Sequence, residues 1–167
     1  SVRDALMQEG LVIPQVPLGI MIEIPAAALC AEQLAREADF ASIGTNDLCQ
    51  YTFAADRMNP FAAQYAHPLS SAMLKLVQMS AQAFSVAGKP LSVCGELAGE
   101  ARAIPLLLGA GVRKLSMSFS ALARAKRIVR ACSIPDCQAL FARALSCQTE
   151  QDVLAQTDAF LANLHQD

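Results

Sequence analysis

The sequence predicts a parallel α/β fold, and three observations carry that prediction. Short apolar runs alternate with helical patterns four times, the connections are short with one exception, and unusual polar residues fall at the ends of the apolar runs. Strand–helix–strand units of this kind give right-handed crossovers, so all strand C-termini point one way and ligands gather there. Four strands are too few to close a barrel, which leaves an open sheet or half of an eight-stranded one.

Residues 2–9 read as the last turns of a helix closed by Gly10. Leu18 to Glu23 (LGIMIE) is an almost unbroken apolar run followed by Pro25, as in a parallel strand covered on both faces. Ala26–Ala38, rich in Ala, Leu, Glu and Arg, reads as a helix. Phe40–Ile43 is a second strand, with Gly44-Thr-Asn-Asp47 directly after it and then the one long connection. Leu69–Ala87 is the longest helical pattern, with Leu69, Met73, Leu76, Val77 and Phe84 at core spacing, and Gly88-Lys-Pro90 ends it. Leu91–Cys94 is the third strand and Arg102–Leu108 a helix closed by Gly109 and Gly111. Lys114–Met117 is the fourth strand, and Ala121–Arg130 its helix. A helical tail over 132–167 follows, with Thr149 and Asp152 spaced as a capping box. The whole of 1–167 reads as one partial domain.

Composition removes several function classes. The 167 residues suffice for one core, and 54% apolar against 17% charged residues excludes disorder. That apolar share is high for a soluble domain, which implies that part of the surface is covered by other material. A net charge of -2, no Trp and two Tyr argue against nucleic-acid binding. No apolar run approaches the roughly 18 residues of a membrane span, and the N-terminal SVRDALMQEG does not read as a signal peptide. The six Cys, at 30, 49, 94, 132, 137 and 147, form no CxxC pair and suit reduced thiols in a cytoplasmic protein.

Four strand ends carry polar groups: Glu23, Asn46 with Asp47, Cys94 with Glu96, and Ser116 with Ser118. Glu23 and Asp47 are either solvent-facing acids or a pair of ligands for a hard cation such as Mg²⁺, which takes one or two carboxylates plus substrate oxygens. Gly44-Thr-Asn-Asp47 is either a tight turn or helix cap, or an anion-binding concavity of backbone N–H groups. Arg57 either pairs with its neighbour Asp56 at the surface or holds a phosphate or carboxylate bidentately. Cys94 is either core filler or a pocket-facing thiol, which with a reference pKa of about 8.5 is protonated at neutral pH and able to act as an acid. His67 and His165, the only histidines, read as ordinary surface residues.

Four stretches resemble the C-terminal phosphoenolpyruvate-binding domain of Enzyme I of the bacterial sugar phosphotransferase system. They are GIMIEIPAAAL (19–29), DFASIGTNDLCQYTFAADR (39–57), VCGELAG (93–99) and IPLLLGAGVRKLSMS (104–118). The resemblance spans nearly the whole chain and is weakest after about Arg130; the spacings from Glu23 to Asn46, Arg57 and Cys94 fit the family too. Pyruvate phosphate dikinase and phosphoenolpyruvate synthase share related motifs, but the wording IGTND, QYT and GELAG sits closer to Enzyme I.

The resemblance implies the C-terminal half of a TIM (β/α)8 barrel, with about four βα units and additional C-terminal helices. It implies Mg²⁺ held by Glu23 and Asp47, the phosphoryl group held by Asn46 and Arg57, and Cys94 protonating the enolate as pyruvate forms. Asp47 would thus serve both metal and substrate. The partners implied are phosphoenolpyruvate and pyruvate, the carrier protein HPr through the full-length enzyme, and a second copy in a homodimer. Cys49 stands where the family usually has Thr, placing a second thiol near the site. The missing barrel half and the phospho-accepting His domain make the isolated chain an incomplete transferase in expectation. The alternatives are a non-catalytic dimerisation module and a fragment of a dikinase or synthase relative.

Overall fold

A computed structural model describes residues 2–164, so His165 lies outside the described residues. The chain runs through α1 (Val2–Gln8), β1 (Gly19–Ile22), α2 (Pro25–Leu29), α3 (Ala31–Glu37), β2 (Phe40–Gly44), α4 (Thr45–Phe53) and α5 (Pro60–Ala63). It continues with α6 (Ser71–Val86), β3 (Leu91–Cys94), a 3-10 turn over Glu96–Gly99, α7 (Ala103–Gly109), α8 (Phe119–Ala131), α9 (Ile134–Leu145) and α10 (Glu150–Asn163). The strands form one parallel sheet in the order β1-β2-β3, with Ile22 beside Ile43 and Gly44 beside Cys94. The expected α/β class and parallel direction are present.

The sheet is clothed on one face. Ile22, Ile43 and Val93, neighbours in register, are fully buried in a core shared with Met73, Val77 and Phe84 of α6. Helix α6 in turn packs against α2 and α3. Side chains alternate across a strand, so Met21, Phe40, Ser42, Ser92 and Cys94 occupy the opposite face. Met21 and Phe40 there remain 48% and 42% exposed. This corrects the expectation of a strand covered on both faces: an unbroken apolar run does not distinguish two-sided from one-sided burial when its outward member is a methionine.

Three further expectations change. The fourth strand over 114–117 shrinks to a single parallel bridge between Val93 and Leu115, made by Val93 N–H to the Lys114 carbonyl and Ser116 N–H to the Val93 carbonyl (2.9 and 2.8 Å). One bridge arises because the chain enters from Gly111 and leaves at once for the α8 cap, Ser118. The helix over 26–38 is two helices, because Cys30 leaves helical geometry at φ −98°, ψ 18°. That break lets Ala28 and Ala31, on either side of it, both bury. The long connection after β2 is largely helical, since α4 starts directly at the strand end and α5 follows.

Helix boundaries obey local chemistry. Pro25 and Pro135 occupy first-turn positions where no N–H is needed. Ser70 and Ser133 cap α6 and α9, accepting from the N–H groups of Met73 and Asp136. The Thr149–Asp152 capping box is formed as the spacing predicts. The tail is no appendage: α9 packs broadly on α7, whose residues Ala103 to Leu108 are all buried. Gly109 permits the approach, since a Cβ there would lie 2.2 Å from the Cys137 carbonyl oxygen. Gly109→Ala is therefore expected to destabilise the fold by about 1–3 kcal/mol through overpacking, read as a lower urea midpoint at unchanged slope.

Candidate active site

Site geometry begins with the register. Gly44 lies beside Cys94, and Glu23 follows Ile22, which pairs with Ile43, so Glu23, Gly44 and Cys94 stand at one level across the C-terminal edge of the sheet. All three belong to the face opposite the helices by strand alternation. Gly44 keeps that level open: a Cβ on it would lie 3.2 Å from both Glu23 Cβ and Oε2, and 3.3 Å from Met21 Sδ. The Cys94 thiol is half-buried, 3.4 Å from the Ile43 carbonyl and 3.8 Å from Met21 Sδ.

Helix α4 delivers the next residues. Thr45 donates its hydroxyl to the Cys94 carbonyl at 2.8 Å, tying the start of α4 to the end of β3. Asn46 Oδ1 accepts from the Glu96 N–H at 3.1 Å, and Asn46 Nδ2 reaches Glu96 Oε1 at 3.5 Å. Gly95 must turn between them at φ +90°, where a Cβ would lie 2.5 Å from Thr45 Oγ1 and 3.0 Å from Asn46 Oδ1. Only glycine satisfies both the left-handed backbone and that approach. Asp47 occupies the first turn of α4, where a carboxylate is favoured by the helix dipole.

Arg57 pairs with Asp47 at 3.5 Å rather than with its neighbour Asp56, whose carboxylate instead accepts from the Met58 N–H at 2.9 Å. The Arg57 backbone is held by Gln50 Oε1 at 3.2 Å. Asp47 and Arg57 side chains remain 39% and 45% exposed, so this contact leaves both open to a ligand. Two hollows meet at Asn46 and Glu96. One, of about 740 Å³, is lined by Cys94, Ser116, Ser118 and Arg124; the other, of about 280 Å³, by Thr45, Cys49, Arg57 and Pro68.

The sequence-derived set is thus assembled in part by contacts and in part by level. Asn46 borders both hollows, Cys94 the larger and Arg57 the smaller, Asp47 joins through its contact with Arg57, and Glu23 stands across Gly44 from Cys94. The metal expectation fits the donor chemistry: Glu23 and Asp47 are hard oxygen donors, both only half-buried, on successive strand ends. Among the described residues no group of three or more His, Cys, Asp or Glu forms a cluster able to hold a metal, so any cation here would need oxygens from its ligand. Thr45 and Gly95 escaped the sequence reading as functional residues. Their signal was adjacency: each directly follows a strand end that carries a chemical group.

Two further residues near the site meet partners distant in sequence, and one of them departs from expectation. Cys49 is buried, and burial, then the Glu150 charge, push its thiol from 9.0 up to about 11, partly offset by a hydrogen bond from the His67 backbone. It lines the smaller hollow, so the expected second thiol does lie near the site, with its neutral form favoured. His67 is not an ordinary surface residue: its Nδ1 lies 3.0 Å from Glu150 Oε2, and its ring meets Phe53 edge-on at 5.5 Å. Sequence reasoning could not find this pair, because Glu150 is 83 residues away.

The sequence matches the family model described as PEP-utilising enzyme, PEP-binding domain, over residues 1–134. The chain belongs to that family. Among curated relatives, this PEP-binding domain is 41% identical over 162 residues to the Phosphoenolpyruvate-protein phosphotransferase of Staphylococcus carnosus, covering 96% of the chain and 28% of the relative. It is 45% identical over 146 residues to the protein of the same name from Mycoplasma pneumoniae, covering 87% and 26%. With that of Listeria monocytogenes it shares 42% over 168 residues, covering 96% and 29%. The PEP-binding domain therefore spans between a quarter and a third of the length of these relatives. No helix among the described residues is long and apolar enough to cross a membrane.

The raised Cys49 thiol has a measurable consequence. Its folded pKa exceeds the unfolded one, so its contribution to stability is whole below pH 9 and is lost as pH rises towards about 11. Comparing chemical denaturation of the parent and Cys49→Ala between pH 8 and 11, the stability difference between them should shrink across this window. A difference independent of pH would contradict the burial argument.

Proposed function

We propose that this domain supplies the phosphoenolpyruvate half-site of a phosphoenolpyruvate–protein phosphotransferase of the bacterial sugar phosphotransferase system. The reading rests above all on the level shared by Glu23, Gly44 and Cys94 on the bare face of the sheet, with Asn46 and Asp47 directly after β2 and Arg57 brought back to Asp47 from beyond α4. Family membership and the printed names of the relatives support it.

In this reading Arg57 and the Asn46 amide bind the phosphoryl oxygens, and Asp47 orients the guanidinium across its 3.5 Å contact. Glu23 and Asp47 would hold Mg²⁺, whose charge would offset that on the phosphoryl oxygens. As the phosphoryl leaves the enol oxygen for a histidine on another domain, the enolate remains and its methylene carbon takes the proton from Cys94 Sγ. A C–H bond forms, the S–H bond breaks, and pyruvate departs from a thiolate that recovers its proton from solvent. Onward transfer to HPr belongs to the full-length enzyme, as does a cytoplasmic location.

The sheet also supports a half of a (β/α)8 barrel. Its helices lie on one face, as in a barrel wall, and the other face carries both the polar strand-end groups and the exposed Met21 and Phe40. Covering that face, and Met58 and Phe61 at 83% exposure each, gives a physical motive for pairing with a second copy. Analytical ultracentrifugation of the chain should show a dimer at micromolar concentration; a strictly monomeric species would count against this pairing.

Isothermal calorimetry tests the half-site directly. Phosphoenolpyruvate should bind in the presence of Mg²⁺, and Glu23→Ala or Arg57→Ala should weaken binding by about tenfold or more, the loss expected for a charge-assisted contact. Absence of any binding by the parent chain would point instead to a module that serves assembly alone.

A further inference from the structure

We infer that Glu150, in the helical tail, is a positioning residue for the ligand-side segment that carries Arg57. Residues 54–70 leave α4 at Ala54 and return to α6 at the Ser70 cap, with Arg57 near one end and His67 near the other. Both limbs line the 280 Å³ hollow, one through Arg57 and the other through Ala66 and Pro68. Beside the burial of Leu69 in the core, one carboxylate pins the second limb at two points. Glu150 Oε1 accepts from the Leu69 N–H at 2.8 Å, and Oε2 pairs with His67 Nδ1 at 3.0 Å.

Glu150 is free for this task because the α10 cap is completed by other residues. Thr149 and Asp152 form the capping box between them. The Glu150 side chain is 15% exposed, and Leu69 is 4% exposed, so the amide it satisfies has little access to water. Removing the acceptor leaves a buried donor without a partner, which costs more than an ordinary hydrogen bond contributes. The same carboxylate acts on α4: its charge helps push up the Cys49 thiol, and the His67 ring lies against Phe53. Glu150 therefore joins α10 to the returning limb, and His67 of that limb packs in turn on Phe53 of the helix whose first turn bears Asn46 and Asp47. It lies beyond residue 134, outside the stretch matched as the PEP-binding domain. The tail thus reaches the site through a contact that the matched stretch does not contain.

Hydrogen exchange by mass spectrometry on the full chain tests the inference without any ligand. Glu150→Ala should raise exchange across 54–70 by about tenfold, with the sheet peptides unchanged, as expected for a local opening. Glu150→Gln keeps an acceptor for the Leu69 N–H and a partner for His67, and should restore protection to within about twofold of the parent. Val153→Ala, at a fully buried tail position, controls for loosened packing and should lower the melting temperature without exposing 54–70. Unchanged protection in Glu150→Ala, or equal exposure in Val153→Ala, would overturn the assignment. A second readout rests on the phosphoenolpyruvate reading: Glu150→Ala should weaken Mg²⁺-dependent binding by about as much as it exposes the segment, with Glu150→Gln restoring it. If the parent chain does not bind phosphoenolpyruvate, that reading fails while the exchange result still decides the role of Glu150.

Discussion

The 2.8 Å hydrogen bond from the Thr45 hydroxyl to the Cys94 carbonyl is the constraint around which the candidate site is arranged. It joins the first residue of α4 to the last residue of β3, two strand ends whose register already sets Gly44 beside Cys94. Once that bond exists, Gly95 has to turn away with positive φ, and the Glu96 N–H comes within reach of Asn46. The thiol, the amide and the first-turn carboxylate are thereby held relative to one another by backbone-level contacts. Such contacts are stiffer than side chains alone, which suits a site whose chemistry is mostly positioning.

Energetically, the fold separates its stabilising face from its chemical one. Ile22, Ile43 and Val93 bury completely against α6, and the same residues orient their neighbours Met21, Glu23, Gly44 and Cys94 to the opposite side. Burial on one face therefore aims the polar groups on the other. The uncovered apolar side chains on that face follow from the same alternation rather than from poor packing. The tail adds to the helix side through α9 on α7 and to the ligand side through Glu150.

The element order was legible because it depends on local periodicity and punctuation. Gly88-Lys-Pro90 and the Thr149–Asp152 pair mark a helix end and a helix start by chemistry that acts within one turn. The misreadings have equally physical causes. Lys114–Met117 has strand-like residues, but ladder length depends on how far two chains run side by side, and here they part after one bridge. Met21 reads as core by hydropathy, whereas its exposure depends on what lies above the sheet.

The sequence by itself determined which chemical groups stand at strand ends, namely Glu23, Asn46, Asp47 and Cys94, with Arg57 in the connection that follows, at spacings that resemble one family. It also determined the parallel α/β class, since both follow from residue type and short-range order. Tertiary structure alone decided that Arg57 faces Asp47 instead of Asp56, that Cys49 is buried, with its thiol pushed up by that burial and then by Glu150, and that His67 belongs to Glu150. Those pairings join separate elements, some more than 80 residues apart, and arise from register and helix packing. Periodicity carries no record of either, because both depend on where whole elements come to rest.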